Sequence, residues 1–85
     1  MRIRFFGELA NLYGKTTEEI VLEEPATLYD ILNRITQKQS RFSACWEGRD
    51  LEDCILAISG RTVCRADDVL GDDCELMLVS PPDGG

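Results

Sequence analysis

Hydrophobic and polar residues alternate at the start of the chain, which is the pattern of a β-strand with one buried face. Over residues 1–6, Ile3 and Phe5 fall on one face, and Phe6 falls on the other with two arginines. After a predicted helical turn, Thr17–Glu23 alternates in the same way. The short spacing between the two segments predicts an antiparallel hairpin.

The next segment changes to a helical period. Four aliphatic residues recur at positions i, i+3, i+4 and i+7 and form one apolar stripe, namely Leu28, Ile31, Leu32 and Ile35. Pro25 ends the preceding strand, and Thr27 is a favourable N-cap because its hydroxyl can accept from the first helical turn. The pattern therefore predicts an amphipathic helix from Thr27 to Lys38.

Residues 39–53 follow neither period, which predicts a loop. We expect Phe42 and Trp46, which lie in this loop, to close one edge of the core; a ligand site built on the two rings is the alternative. Two β-prone runs, Cys54–Ile58 and Arg61–Cys64, then flank a turn signal. They predict a second hairpin.

The last strand is predicted over Cys74–Val79, with Leu76 and Leu78 facing the core. The element order is β-β-α-β-β-β, and one helix of this length covers one face of a small sheet, which is α+β architecture. We expect a mixed sheet of four to five strands with one main helix across one face. The first and last strands should pair at its centre.

The open side of this sheet is a candidate partner-binding surface. We expect Phe6, Met77 and Val79 to lie there, opposite the helix-facing residues. Apolar groups on an open sheet face indicate a docking site. The alternative is that the segment of residues 39–53 covers them.

The composition limits the chemistry. The 85 residues carry 9 basic and 16 acidic side chains, for a net charge of −7, and no histidine. Residues 1–46 are balanced, so residues 47–85 carry the whole acidic excess. An acidic half without a basic run excludes nucleic-acid binding, and the missing imidazole excludes histidine-based acid–base catalysis. We expect the acidic half to steer the chain toward basic partners, so neutralising Asp72 and Asp73 should slow association more than it affects the fold.

The sequence also indicates a compartment. It has no apolar run long enough for a secretion signal or a bilayer span, which predicts a cytoplasmic protein that does not bind membranes.

The four cysteines are separated by nine or ten residues and are Cys45, Cys54, Cys64 and Cys74. This spacing lacks the close pairs of a structural zinc site, so we expect reduced thiols that pack in the core rather than a metal or redox site.

The chain ends in Ser80-Pro81-Pro82-Asp83-Gly84-Gly85. Two prolines restrict the backbone and lack amide donors, and two glycines then remove all side-chain bulk. The segment is typical of a slim tip that carries the terminal carboxylate. An ordinary flexible chain end has a similar composition, so the tail is informative only together with the domain before it.

The domain and the tail together resemble the ubiquitin-like β-grasp sulfur carriers. The segments that carry the resemblance are Met1–Gly7, the Thr27–Lys38 helix, the Ile55–Val63 hairpin and the tail from Pro81 to Gly85. The stretch with Phe42 and Trp46 favours the branch of the molybdopterin synthase small subunit over the related thiamine-biosynthesis carrier. The resemblance implies a β-grasp domain over residues 1–80 and a flexible Gly-Gly tail over residues 81–85.

The resemblance also implies a mechanism centred on Gly85. An adenylating enzyme of the ubiquitin-activating type would use Mg-ATP to activate the terminal carboxylate, and a persulfide donor would then supply the sulfur of a thiocarboxylate. Pro81, Pro82, Asp83 and Gly84 would thread the tail into this enzyme and into the large subunit of molybdopterin synthase. The chain itself would bind no cofactor and would be a sulfur-donating subunit rather than a complete catalyst.

Other functions are open from the residues alone. A ubiquitin-like protein modifier would use the same tail to form isopeptide bonds with lysines, and a sulfur carrier could also serve thiamine synthesis or another pathway. A metal-binding module would use the four cysteines, and a plain interaction domain would make no use of the tail. The intact mass of the protein from its host separates the carrier from the modifier, and metal analysis tests the cysteines.

Overall fold

The computed structural model describes residues 1–81. The strands are β1 (Arg2–Phe5), β2 (Thr17–Glu19), β3 (Ala26–Thr27), β4 (Leu56–Ser59), β5 (Thr62–Cys64), β6 (Val69–Leu70) and β7 (Glu75–Val79). The helices are α1 (Glu8–Tyr13), α2 (Leu28–Lys38) and α3 (Leu51–Cys54), with a 3₁₀ helix at Ser40–Cys45.

The main sheet has five strands in the order β2-β1-β7-β4-β5. β1 and β7 run parallel near its centre, while the β1–β2, β4–β7 and β4–β5 pairs are antiparallel. The predicted mixed sheet, the two hairpins and the pairing of the first and last strands are therefore confirmed. A separate two-stranded sheet of β3 and β6 was not predicted, because two residues are too few for an alternating pattern to show.

The predicted main helix is confirmed as α2, and the hydroxyl of Thr27 caps it by accepting from the Asp30 backbone N–H at 3.1 Å. Its aliphatic stripe is buried in the same core as the inward residues of the central strands. Ile3, Leu76 and Leu78 have no measurable exposure. One face of the sheet is therefore covered by α2, and this side is called the inner face below.

The predicted loop over residues 39–53 is wrong in part, because it contains the 3₁₀ helix and the start of α3. Phe42 is fully buried, with its ring 5.5 Å from Phe5 and 5.6 Å from Tyr13, both edge-to-face. Trp46 is 9% exposed and lies edge-to-face on Tyr29 of α2. The two aromatic residues thus close the core on the inner face, as predicted.

Two strand boundaries differ from the prediction by two residues or more. β2 ends at Glu19. The Ile20 N–H still donates to the Met1 carbonyl, but the Leu22 N–H donates to the Asp72 carboxylate and not to a neighbouring strand, so the ladder does not continue. β4 begins at Leu56, because Cys54 closes the short helix α3. For apolar runs of this length, the pattern alone does not distinguish a strand from a helix.

Asp72 has a structural role that its place in an acidic turn did not reveal. Its Oδ1 accepts from the α-ammonium group of Met1 at 2.9 Å and from the Leu22 N–H at 2.8 Å. The Met1 ammonium also donates to the Ile20 carbonyl at 2.7 Å. These bonds lower the pKa of the Asp72 carboxyl below its ordinary value, the Leu22 N–H being the largest cause. Neutralising Asp72 therefore perturbs the fold as well as the surface charge.

Asp72→Asn should lower the melting temperature by several degrees at neutral pH, whereas Asp73→Asn, with the same charge change one residue away, should leave it nearly unchanged. The folded-state pKa of Asp72 lies below its ordinary value, so its stabilisation is complete above that ordinary value and is lost as pH falls through the folded-state value. Thermal melts at neutral and strongly acidic pH check this. A difference between wild type and Asp72→Asn that persists unchanged in strong acid would contradict it.

Candidate functional site

The side of the main sheet opposite α2, called the outer face, carries a continuous group of apolar side chains. In the strand register, Met77 of β7 pairs with Ile58 of β4, and Ile58 pairs in turn with Val63 of β5. Two residues further along β7, Val79 pairs with Leu56 of β4. Residues directly opposite on adjacent strands point to the same face. These side chains together with Phe6 form the apolar patch: Phe6, Leu56, Ile58, Val63, Met77 and Val79.

The burial pattern agrees with this assignment. Along β7, Leu76 and Leu78 are fully buried, while Met77 and Val79 between and after them are only partly buried. Phe6 is 42% exposed and Val63 is 56% exposed. A sheet face with this much accessible apolar surface is typical of a protein-binding site. The predicted positions of Phe6, Met77 and Val79 on one open face are therefore observed.

The segment of residues 39–53 does not cover the apolar patch. Its 3₁₀ helix packs against α1 and α2, and Phe42 contacts Phe5 and Tyr13 among the inward-facing residues. Trp46 packs on Tyr29 of the same helix layer. The aromatic residues of this segment thus lie on the inner face, and the patch stays on the outer face.

The apolar patch adjoins the point where the chain leaves the sheet toward its C-terminus. Val79 is the last residue of β7, and the Phe6 N–H donates to the Leu78 carbonyl at 3.0 Å, which places Phe6 beside this strand end. Ser80 and Pro81 follow and are partly buried. The other predicted tail residues are Pro82, Asp83, Gly84 and Gly85, the last of which is the predicted reactive residue, and all four lie outside the described residues. A partner that grips the patch would therefore meet the chain next to the start of the tail.

The charged side chains within residues 1–81 all lie at least partly on the surface. On the outer face, Arg2 pairs with Glu19 at 3.1 Å and Arg4 pairs with Glu75 at 3.8 Å. These pairs lie on β1, β2 and the start of β7, so the outer face has an ionic half beside the apolar patch. The sequence therefore supplies both apolar contact area and charge to the same face.

The four cysteines are free thiols, and all contact or join the core. Cys64 is buried, and burial is the main cause that raises its pKa and that of Cys45 above the ordinary thiol value. A raised pKa keeps the thiol protonated at neutral pH, which suits packing. Within residues 1–81, no group of three or more cysteine or acidic side chains is placed to hold a metal ion. No helix in this range has the length and apolarity needed to cross a bilayer.

A family model described as the ThiS family matches residues 3–85. The chain belongs to the ThiS family. No curated protein matches this ThiS-family chain in sequence.

Solved structures with the same fold support the architecture. The crystal structure of SAMP1 from Haloferax volcanii has a TM-score of 0.83 at 23% identity and covers 100% of this chain and 98% of its own. A putative molybdopterin converting factor, subunit 1, from Pyrococcus furiosus has a TM-score of 0.78 at 22% identity, with 95% of both chains covered. SAMP1 from Methanosarcina acetivorans, in solution, has a TM-score of 0.73 at 19% identity and covers 99% of this chain and 94% of its own. The chain therefore has the α+β, ubiquitin-like β-grasp fold of sulfur carriers and small modifiers.

Sequence reasoning missed half of the apolar patch. Leu56, Ile58 and Val63 were assigned to strands but not to a face. Their side is decided by the β4–β7 register, which joins segments about twenty residues apart. The one signal in the sequence was the uninterrupted apolar run over Cys54–Ile58, which is longer than one buried face of a strand requires.

Proposed function

We propose that this chain is a sulfur carrier whose terminal Gly85 carboxylate is adenylated and then converted to a thiocarboxylate that donates sulfur. The observation that carries the proposal is the apolar patch beside the end of β7, in a ThiS-family chain that ends in Gly84-Gly85. An activating enzyme can hold the patch while the tail reaches its catalytic centre. The Gly84-Gly85 tip of the tail has no side chains, which suits this approach.

The chemistry explains why a second protein is required. A carboxylate is a poor electrophile, so its oxygen first attacks the α-phosphorus of Mg-ATP and expels pyrophosphate, which makes AMP the later leaving group. The terminal sulfur of a donor persulfide then attacks the acyl carbon and expels AMP. A second donor thiol breaks the sulfur–sulfur bond, forms a disulfide in the donor and releases the thiocarboxylate on Gly85. The carrier provides the carboxylate and the docking surface, and none of these steps uses its cysteines.

We assign the carrier to molybdenum cofactor biosynthesis, as the small subunit of molybdopterin synthase. The Pyrococcus furiosus structure, named as a putative molybdopterin converting factor subunit, supports this pathway. The buried Phe42 and Trp46 support it through the family resemblance, which places such a segment in this branch. The synthase large subunit would then receive the tail and use the sulfur to build the dithiolene of the cofactor.

A second candidate function is protein modification. The structures named small archaeal modifier protein 1 favour it, because they share the fold over nearly the whole chain. The first step would be the same adenylation of Gly85. A lysine amine would then attack the acyl carbon in place of the persulfide, forming an isopeptide bond and releasing AMP.

Intact mass spectrometry of the protein purified from its own host separates these functions. The carrier should show a fraction with one oxygen replaced by sulfur, and a variant lacking Gly85, expressed in the same host, should not. A ladder of larger protein adducts that requires Gly85 would instead establish the modifier. If neither form appears under conditions that demand molybdenum cofactor, the proposed carrier function is wrong.

A further inference from the structure

The ionic half of the outer face contains a shallow cleft of about 650 Å³ that lies over β1 and β2. Its lining includes Arg2, Arg4, Phe6 and the hydroxyl residues Thr16 and Thr17. Phe6 also belongs to the apolar patch, so the cleft and the patch share one edge. A partner that covers the patch would therefore also reach into the cleft.

The two arginines of the cleft differ in how far their charge is satisfied. Arg2 donates from both Nε and Nη2 to Glu19 Oε1, at 3.2 and 3.1 Å. Arg4 has its nearest carboxylate in Glu75, with Nε and Oε1 3.8 Å apart, which exceeds hydrogen-bond distance. The Arg4 side chain is 47% exposed. Its guanidinium thus keeps donors available for a further carboxylate.

Arg4 also lies at the border of the apolar patch. It pairs in register with Met77 on one side and with Thr17 on the other. A cation at this position would be desolvated when a partner covers Met77, which is costly unless the partner supplies an opposite charge. The partner needs this negative charge only beside Arg4. The rest of its contact surface should be basic, because the second half of the chain carries an acidic excess.

We propose that Arg4 binds a carboxylate side chain of the adenylating enzyme, and that this ion pair sets the orientation in which the apolar patch docks. The inference rests on the proposed function, and the enzyme is chosen because carrier and modifier alike must first be adenylated. The matching surface is an apolar area with one acidic side chain beside it, inside an otherwise basic region. Docking registers that move the acidic group of the enzyme from Arg4 to a carboxylate such as Glu75 are penalised by like-charge repulsion.

Binding of the adenylating enzyme from the same organism to Arg4→Glu tests this proposal. We expect about ten-fold or greater loss of affinity for Arg4→Glu, a smaller loss for Arg4→Lys, and none for Arg41→Glu. Arg41 is an exposed arginine of the 3₁₀ helix, so its reversal makes the same net charge change away from the outer face. Melting temperatures of all variants verify that each is folded. An acidic-to-basic change in the enzyme that restores the binding of Arg4→Glu would identify the carboxylate.

Two outcomes would overturn the inference. Equal affinity of folded Arg4→Glu and Arg41→Glu would show that Arg4 faces no carboxylate. Full binding by a folded Arg4→Met variant, which keeps the side-chain length without the charge, would show the same. Failure of the wild-type chain to be adenylated at all would refute the proposed function itself, a result that the wild-type control reports separately.

Discussion

Gly85→Ala should abolish thiocarboxylate formation while leaving the melting temperature of the domain unchanged. The terminal carbonyl must reach a phosphate and then a persulfide inside a partner channel, and a Cβ at this residue would clash with channel walls fitted to glycine. Misplacement by about one ångström is enough to lower such a reaction about a hundred-fold. The folded domain should be unaffected, because Gly85 follows the last strand by six residues.

The measurement is the rate of adenylate formation with purified activating enzyme, followed by the intact mass after sulfur transfer. Asp83→Ala is the matched control, since it changes a tail position that already has a side chain. We expect Asp83→Ala to be adenylated at a rate close to that of wild type. Adenylation of Gly85→Ala at the wild-type rate would refute the requirement for glycine at the reacting position.

Met77→Asp should weaken binding to the activating enzyme by about a hundred-fold or more. Met77 lies in the apolar patch, flanked in register by Ile58 on one side and Arg4 on the other. On docking, the new carboxylate would be buried against Ile58 and would compete with the carboxylate of the enzyme for Arg4. Because two carboxylates would then face one arginine, one charge would be buried unpaired, which costs several kcal/mol; about 2.8 kcal/mol already corresponds to a hundred-fold loss of affinity. The free domain should lose only about 1 kcal/mol, because Met77 is on an open sheet face.

Val21→Asp is the control for this prediction. Val21 is 70% exposed between β2 and β3, outside the patch, and its replacement introduces the same charge. Isothermal titration of both variants, with melting temperatures measured in parallel, separates docking from folding. If Met77→Asp binds as tightly as Val21→Asp, the apolar patch does not contact the enzyme.

The location of Met77 shows how far the sequence reaches toward the site. Its place on the outer face follows from alternation along one strand, because Leu76 and Leu78 must face the core. Its neighbours Ile58 and Arg4 do not follow from any local pattern. They come from two different strand pairs, one antiparallel and one parallel, which join segments distant along the chain.

Asp72 illustrates the same limit for charges. In the sequence it is one acid among several in a turn, and solvation is the natural expectation for it. In the structure it accepts from the Met1 ammonium and the Leu22 N–H, so it connects three segments that are far apart along the chain. A hydrogen bond between positions 71 residues apart leaves no trace in composition or periodicity.

By itself, the sequence determined the amphipathic helix, the core-facing side of the central strands and the chemical nature of the chain end. These depend on side-chain period, capping and residue type, which act over a few neighbouring residues. Only the tertiary structure decided which side chains form the apolar patch, that Arg4 borders it, and that Asp72 holds the first segment in place. Strand order and register bring together residues from opposite ends of the chain, and the free energy that selects them comes from burial of the whole core rather than from any local pattern.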